Sequence, residues 1–554
     1  MRFTESDIAD ADGLRAERRR AWTGALLLVG VLLAARVMYL LWFCPYDLIE
    51  DEAFYWLWAQ HPAWSYHTKG PGIAWAIWLA TKAFGDAAWA VRMVGAIGGA
   101  AAGIAAAGMA IDCVAARGGA RPGTMRAAAL LAVGLMSLAP AYQATALLAT
   151  IDGPYIACWM LATWAALRAM CFGSRAAWVW LGIALGVGFL FKYTILLLLP
   201  GLLLGAWMLR GRLRLATGWR GTVALGAAMF ALSLAPVVIW NAQHDWITVK
   251  HLVGHLNLSG GDETVHVARK GWGYQPKWTL EFIGAQIGMI GPGIVIGFVA
   301  AWGIMRRWRA ARRSAPAGGD ASEAPDLLLV AVAVPLLVFY LLVTFIAPAQ
   351  MNWPIASETT LLVAGAVWLA AIARPWKGAA RHLWRTTMIF GVVTGVAMLR
   401  LDVVADALGA VWPQAAAKIP LGRIMAARPF AFSLQTQRDM VMEKAGSAPF
   451  VMTSHYGRAA QLSFYLPDRP VVYCASSHTG GRIVQQDFWS DTDLNDPALL
   501  GRNAIIVSPV SIEPNWKSAF ERVEKLKPLQ GEHKTDNATF VGYGFKGLPK
   551  GGAR

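Results

Sequence analysis

Three adjacent carboxylates, Glu50, Asp51 and Glu52, follow the first long apolar stretch of the chain and precede an aromatic segment at residues 54–56. A carboxylate costs about 2.5–3.5 kcal/mol at the centre of a membrane span, so acidic residues beside a span often mark a functional site. Such a group can act as a general base that removes a proton from a hydroxyl group. Two alternatives stay open: Asp51 can cap the helix that follows, or the cluster can be a solvated loop.

Three later residues have types that suit the same chemistry. Lys69 lies in a glycine-rich segment, Asp152 precedes Gly-Pro, and Lys192 stands between two apolar runs. Cations of this kind can stabilise a departing phosphate while a carboxylate takes the proton. Lys69 can instead be an interface anchor, and Asp152 can be a helix cap. Lys192 is surrounded by Phe, Leu and Tyr, so it needs a partner or a wet cavity.

A second polar segment, at residues 242–278, carries further candidates. His251 and His255 are four residues apart and can share one helix face, which suits either metal binding or a polar surface. Arg269 lies further along the same segment and can join the cations that hold a phosphate.

The composition places these residues in a membrane protein. The chain has 554 residues, of which 56% are hydrophobic and 15% charged, and its mean hydropathy is +0.43. Apolar runs long enough to span a bilayer recur up to about residue 400, which predicts helices and excludes a β-barrel. The net charge of +16 is concentrated in short loops between these runs, so it indicates membrane topology and no nucleic-acid partner.

The bias of Lys and Arg between alternate loops predicts about eleven spans. Residues 1–21 form a basic cytoplasmic N-terminus, residues 22–414 form the transmembrane domain, and residues 415–554 lie on the opposite, periplasmic side. Two long loops, at residues 44–90 and 242–278, are predicted on that same outer side.

Both outer regions have patterns of their own. In the first loop, residues 53–60 and 73–84 are rich in tryptophan and apolar residues, which favours short helices lying in the membrane interface. Beyond residue 414, short apolar runs at 449–452, 470–473, 503–507 and 539–543 alternate with helix-compatible segments such as 515–526. This alternation predicts a small α/β domain.

The ordered set of motifs resembles glycosyltransferase family 39, which contains bacterial relatives of protein O-mannosyltransferases and the aminoarabinose transferase of lipid A. The resemblance covers most of residues 20–375. Its motifs are Asp51-Glu52-Ala53-Phe54-Tyr55-Trp56, the segment 65–72, Phe84-Gly85-Asp86 with Val91-Arg92, residues 150–154, residues 188–199 with Lys192-Tyr193-Thr194, residues 236–241 with His244-Asp245-Trp246, and Asn352-Trp353-Pro354.

This resemblance implies the C-type glycosyltransferase fold, in which the first outer loop forms interfacial helices over a cavity. It also implies a polyprenyl-phosphate sugar donor and transfer with inversion. The acidic pair of the family falls on Asp51 and Glu52, with Asp51 as the expected base, and the later aspartate of the family falls on Asp152.

The resemblance also assigns the donor phosphate. Lys69 matches a lysine that some bacterial branches place before a proline, although many members have His-Pro-Pro where this chain has Lys-Gly-Pro-Gly. Lys192 and His255 occupy positions similar to those of the family. Together with Arg269 they complete the predicted phosphate-binding set.

The sequence therefore predicts an inner-membrane glycosyltransferase that uses an undecaprenyl-phosphate-type donor on the periplasmic side. Its acceptor can be a lipid, a glycan or a protein. A divalent metal is possible, but no residue is assigned to it. One alternative is a transporter or flippase for a lipid-linked glycan, which needs polar groups along its spans. Another is a scaffold whose outer domain binds partners.

Overall fold

A computed structural model describes residues 5–118, 121–255, 274–314, 321–373, 376–479, 481–508, 514–531 and 538–548. Its first part is a bundle of helices, as the apolar runs predict. The helices are α1 (Glu5–Met38), α2 (Glu50–Gln60), α3 (Gly72–Phe84), α4 (Ala88–Ala116), α5 (Thr124–Ser137), α6 (Pro140–Thr145), α7 (Asp152–Phe172), α8 (Arg175–Phe191), α9 (Leu198–Met208), α10 (Trp219–Gln243), α11 (Ile247–His255), α12 (Pro276–Ile290), α13 (Gly293–Ser314), α14 (Ala324–Val343), α15 (Ile355–Ala371) and α16 (Ala379–Leu399).

Six helices in the described part of the chain are long and apolar enough to cross a membrane, and the bent pair α12–α13 can supply a seventh span. Five shorter apolar helices accompany them. The polytopic helical architecture is thus confirmed, while the number of about eleven spans stays a prediction.

Helices α4 and α7 form the centre of the bundle. In the most apolar 18-residue stretch of each helix, 83% of the residues are buried in α4 and 78% in α7. The corresponding fraction is 11% in α1, α10 and α16. Small residues on α4 allow this close packing. A Cβ atom at Gly98 would lie 2.9 Å from the Gly153 carbonyl carbon, and one at Gly108 would overlap the Trp164 ring.

The first long loop forms two short helices, α2 and α3. They agree with the helices predicted at residues 53–60 and 73–84, although α2 begins three residues earlier, at Glu50. Carboxylates in the first turn of α2 interact favourably with the positive end of the helix dipole, which explains this earlier start. Their position in the membrane interface stays a prediction.

The last part of the chain forms a small domain with helices and one sheet. Its helices are α17 (Leu401–Val411), α18 (Pro413–Ala416), α19 (Leu421–Met425), α20 (Ala427–Ala445), α21 (Tyr456–Tyr465) and α22 (Pro514–Ser518). Its strands are β1 (Phe450–Thr453), β2 (Val472–Cys474), β3 (Ala504–Ser508), β4 (Phe520–Lys525) and β5 (Ala538–Phe545).

The four predicted apolar runs are β1, β2, β3 and β5, which lie in one sheet of order β2-β1-β3-β5-β4. Strands β1, β2 and β3 pair in parallel, and β5 pairs antiparallel with β3 and β4. The helix-compatible prediction for residues 515–526 is wrong over half of its length, because Phe520–Lys525 is the edge strand β4. The four charged residues of β4, Glu521, Arg522, Glu524 and Lys525, are all exposed, which a strand at the edge of a sheet allows.

This domain packs on the first loop of the bundle. The side chain of Gln461 donates a hydrogen bond to the Leu48 carbonyl oxygen (2.9 Å), and the Leu48 amide donates to the Tyr465 hydroxyl (2.6 Å). Arg469 forms an ion pair with Asp86 (3.0 Å). Through these contacts α21 lies directly against α2, so the domain forms one wall above the bundle.

Candidate active site

A polar pocket of about 260 Å³ lies between the first loop of the bundle and the small domain. Asp51 of α2, Lys69 of the following loop and His251 of α11 line it from the bundle. Tyr456 and Arg482 line it from the small domain. A carboxylate and two cations therefore share one space whose walls come from both parts of the molecule.

Asp51 lies in the first turn of α2 and is accessible to solvent through the pocket. Its carboxylate accepts no hydrogen bond from any residue that the structure describes, so it is free to meet a substrate hydroxyl. Surrounding protein atoms desolvate it, and this burial raises the pKa of Asp51, while Lys69 and Arg482 act in the opposite direction. A raised pKa makes a carboxylate a stronger base, which suits proton removal.

Lys69 is held in place by the glycine residues that follow it. A Cβ atom at Gly70 would overlap the Leu190 carbonyl oxygen, and one at Gly72 would lie 2.9 Å from the Leu190 carbonyl carbon. The loop can therefore contact the end of α8 backbone to backbone because it has no side chains there. This packing is the structural reason for the Lys-Gly-Pro-Gly sequence.

The ammonium group of Lys69 has an unusual electrostatic environment. Burial lowers the pKa of Lys69, and the nearby charge of Lys192 lowers it further, while Asp152 and Asp51 raise it. Burial disfavours the charged form of this lysine, so a phosphate that enters the pocket would stabilise the charged ammonium group by pairing with it.

Asp152 begins α7 and is bound on both of its oxygens. Lys192, at the end of α8, forms an ion pair with Oδ1 (2.8 Å), and Asn352 donates a hydrogen bond to Oδ2 (2.8 Å). The Lys192 ammonium also lies 5.2 Å from the centroid of the Tyr155 ring. The partner that a lysine between apolar runs requires is therefore Asp152.

Glu52 faces away from the pocket, although it adjoins Asp51 in sequence. Its carboxylate is fully buried and accepts hydrogen bonds from Arg92 Nε (2.9 Å) and Arg92 Nη2 (2.7 Å). The backbone amides of Ala149 (2.8 Å) and Ile49 (3.0 Å) also donate to it. The bonds from Arg92 and Ala149 tie α2 to α4 and to the segment before α7, and the bond from Ile49 caps α2. The surroundings of Glu52 therefore fit a positioning role better than the catalytic role expected from its motif.

Two predicted phosphate ligands fall outside the described part of the molecule. Arg269 lies between residues 255 and 274, and only the backbone of His255, at the end of α11, is described. In the ranges that are described, no group of three or more His, Cys, Asp or Glu residues has the geometry of a metal site. The described side chains thus assign no position to the possible divalent metal.

Sequence reasoning missed the contribution of the small domain. Arg482 reaches the pocket and lies 5.0 Å from the centroid of the Tyr456 ring, so a cation and an aromatic face stand together opposite Asp51. Nothing in the sequence around Arg482 distinguishes it from other surface arginines. Its role depends on how the small domain packs on α2.

A model of the dolichyl-phosphate-mannose-protein mannosyltransferase family matches residues 67–240, which include Lys69, Asp152 and Lys192. The lipid A galacturonosyltransferase RgtD of Rhizobium johnstonii is 28% identical over 359 residues, which are 64% of this chain and 66% of that protein. The match thus spans slightly less than two thirds of that relative.

Solved structures show the same architecture. The crystal structure of ArnT from Cupriavidus metallidurans bound to undecaprenyl phosphate superposes with a TM-score of 0.55 and 16% identity, covering 94% of this chain and 98% of that one. The apo form of ArnT gives a TM-score of 0.51 and 17% identity over the same shares. These similarities establish a common fold over nearly the whole of both chains.

Proposed function

We propose that this chain is a membrane glycosyltransferase that transfers a sugar from a polyprenyl-phosphate donor to a hydroxyl group of a lipid acceptor, as its similarity to such enzymes and its C-type fold support. The observation that carries this proposal is the pocket that Asp51, whose carboxylate has no hydrogen-bond partner among the described residues, shares with two cations, Lys69 and Arg482. A base and a pair of phosphate-binding cations are what such a transfer requires.

The proposed reaction begins with the acceptor hydroxyl beside Asp51. Its oxygen attacks the anomeric carbon of the donor sugar, and its proton passes to the Asp51 carboxylate. The bond between the anomeric carbon and the phosphate oxygen breaks, and the polyprenyl phosphate leaves with the electron pair. Attack and departure on opposite faces invert the anomeric configuration.

Lys69 and Arg482 are proposed to bind the departing phosphate. They lie on opposite walls of the pocket, one on the first loop and one on the small domain, so a phosphate between them would be bound from two directions. Charge-assisted hydrogen bonds of this kind are about twice as strong as neutral ones. The undecaprenyl phosphate in the ArnT structure supports a donor of this class.

Asp152 and Lys192 do not line the pocket, but both interact electrostatically with Lys69, so Asp152 is proposed to act beside that lysine and Lys192 to act through Asp152. The short contacts of Asp152 with Lys192 and Asn352 fix the direction of its carboxylate. Lys192 then positions Asp152 and contributes positive charge near Lys69, which fits its ion pair with Asp152 better than direct phosphate binding.

The acceptor and the location of the reaction are also proposals. The RgtD relative acts on lipid A, which supports a lipid acceptor for this chain. The apolar helices indicate a multi-pass protein of the inner membrane. The concentration of arginine in alternate loops supports a pocket that opens to the periplasm.

The direct test is sugar transfer by the purified protein, with a panel of polyprenyl-phosphate sugars and a lipid A acceptor in mixed micelles. Transfer of label to the acceptor, with release of polyprenyl phosphate, would support the proposal. Movement of an intact lipid-linked sugar across liposomes without any transfer would favour the transporter instead.

Replacing Arg482 by glutamine should weaken use of the donor. The loss of one charge-assisted contact to phosphate is expected to lower kcat/KM for the donor about tenfold or more. The matched control is Arg522→Gln, since Arg522 lies on β4 of the same domain and is exposed. Steady-state kinetics with varied donor concentration would check this, and equal values for both variants would remove Arg482 from the site.

The activity should have a bell-shaped dependence on pH. Asp51 must be deprotonated to accept a proton, and because its pKa is raised, the acidic limb should lie above the range of an ordinary aspartate. Lys69 must be charged to bind phosphate, and because its pKa is lowered, the alkaline limb should lie below the range of an ordinary lysine. Lys69→Arg should move the alkaline limb upward without moving the acidic limb, and an unmoved alkaline limb would contradict the role of Lys69.

A further inference from the structure

A second cavity, of about 470 Å³, lies within the bundle and shares no lining residue with the pocket around Asp51. Helices α1, α5, α6 and α16 and the segment between α6 and α7 enclose it. Most of its lining is apolar, with Leu32 and Val392 among the aliphatic side chains. Its volume lies within the range of about 300–1,000 Å³ that is common for small-ligand sites.

The cavity contains one cation, Arg36, inside the first span. No carboxylate of the described residues lies within ion-pair distance of its guanidinium group. The guanidinium group lies 5.7 Å from the centroid of the Tyr142 ring and hydrogen-bonds with the Tyr142 side chain, which is a neutral partner. An arginine within a span is costly unless an anion or water compensates its charge. Since the other lining side chains are uncharged and mostly apolar, an anionic group with an apolar tail is the complement that this cavity lacks.

Hydrogen bonds hold the walls of the cavity together at the level of Arg36. The amide of Gln143 donates to the carbonyl oxygens of Ser137 (2.9 Å) and Gly391 (3.1 Å), which joins α6 to α5 and α16. The Tyr39 hydroxyl donates to the Leu399 carbonyl oxygen (2.9 Å), which joins the end of the first span to α16. The cavity is therefore a built feature of the fold.

We propose that this cavity binds one anionic phospholipid of the surrounding bilayer, with its phosphate on Arg36 and an acyl chain along the apolar walls. Charge complementarity supports this occupant, because a single arginine matches the single phosphate of such a lipid. The polyprenyl donor fits less well. Its phosphate is required in the pocket beside Lys69, which is lined by different residues.

Two substitutions test the site by independent means. Arg36→Gln removes the charge and keeps a polar side chain. Gly134→Leu places a larger side chain in the cavity from α5. A Cβ atom at Gly134 would have no other atom within 4 Å, and Gly134 lines the cavity, so the new side chain would occupy the cavity space. The matched control is Gly30→Leu, at an exposed position on α1 that also has open space and does not line the cavity.

The measurement is native mass spectrometry of the full-length protein in detergent, titrated with phosphatidylglycerol and, separately, with undecaprenyl phosphate. Arg36→Gln should weaken the tightest phosphatidylglycerol adduct about tenfold, as expected for a lost charge-assisted contact. Gly134→Leu should weaken the same adduct because its side chain occupies the space of the acyl chain. Gly30→Leu should bind this lipid as the wild-type protein does.

Two results would overturn the proposal. In the first, both cavity variants retain the wild-type affinity for phosphatidylglycerol. In the second, undecaprenyl phosphate displaces phosphatidylglycerol from the wild-type protein but not from Gly134→Leu, which would assign the cavity to the prenyl lipid. Neither result bears on sugar transfer at Asp51, so this inference and the proposed function can fail separately.

Discussion

Asp51→Asn should lower kcat for sugar transfer about 100-fold or more, as expected when a general base is lost. Asparagine keeps the shape of aspartate but cannot accept the proton of the acceptor hydroxyl. Binding of the donor should change little, because the phosphate contacts come from Lys69 and Arg482 and not from Asp51. Single-turnover kinetics with saturating donor would measure the chemical step directly.

The matched control is Glu50→Gln, one residue before Asp51. Glu50 is also in the first turn of α2, and 46% of its side chain is exposed. It does not line the pocket, so its substitution should leave kcat within a few-fold of wild type. If Asp51→Asn transfers sugar as fast as Glu50→Gln, the base must be sought elsewhere, and Asp152 would be the next candidate.

Arg92→Met should destabilise the fold by about 3–5 kcal/mol, because it leaves the buried charge of Glu52 without a partner. The Arg92 and Glu52 side chains are 3% and 0% exposed, and two hydrogen bonds join them. Removing one member of such a buried ion pair lowers the stability of the fold more than removing both charges does. Equilibrium unfolding in detergent micelles, with circular dichroism as the readout, would measure the change in the free energy of unfolding.

The double variant Arg92→Met with Glu52→Gln separates this explanation from simple loss of packing. Glutamine keeps an acceptor for the amides of Ala149 and Ile49 but carries no charge. The double variant should therefore be more stable than Arg92→Met alone. If both variants are equally unstable, the loss comes from the missing arginine contacts and the buried charge of Glu52 is unimportant.

The local patterns of the chain were sufficient to predict its main elements. Long apolar runs predicted a helical membrane bundle because the backbone must satisfy its own hydrogen bonds in lipid. The short apolar runs of the last domain predicted four of its five strands. The fifth, β4, was missed because four of its six residues are charged and exposed at the edge of the sheet, and so polar a segment is also compatible with a helix.

The different surroundings of the adjacent carboxylates follow from the tertiary structure. In an α-helix, successive side chains point about 100° apart, so Asp51 faces the pocket while Glu52 faces Arg92. The motif places both residues at the start of α2 but does not indicate which of them is free. Likewise, Lys192 was recognised as a lysine that needs a partner, yet the fold alone identified Asp152 as that partner.

The sequence by itself determined the class of the protein and the chemical types present near its first loop: carboxylates, lysines and aromatic rings beside a membrane span. These properties depend on composition, periodicity and residues close together in the chain. The tertiary structure decided which of these groups share a pocket, and it added Arg482 from the distant small domain. That contribution arises from packing between remote segments, and contacts of this kind leave no periodic or local signal in a single sequence.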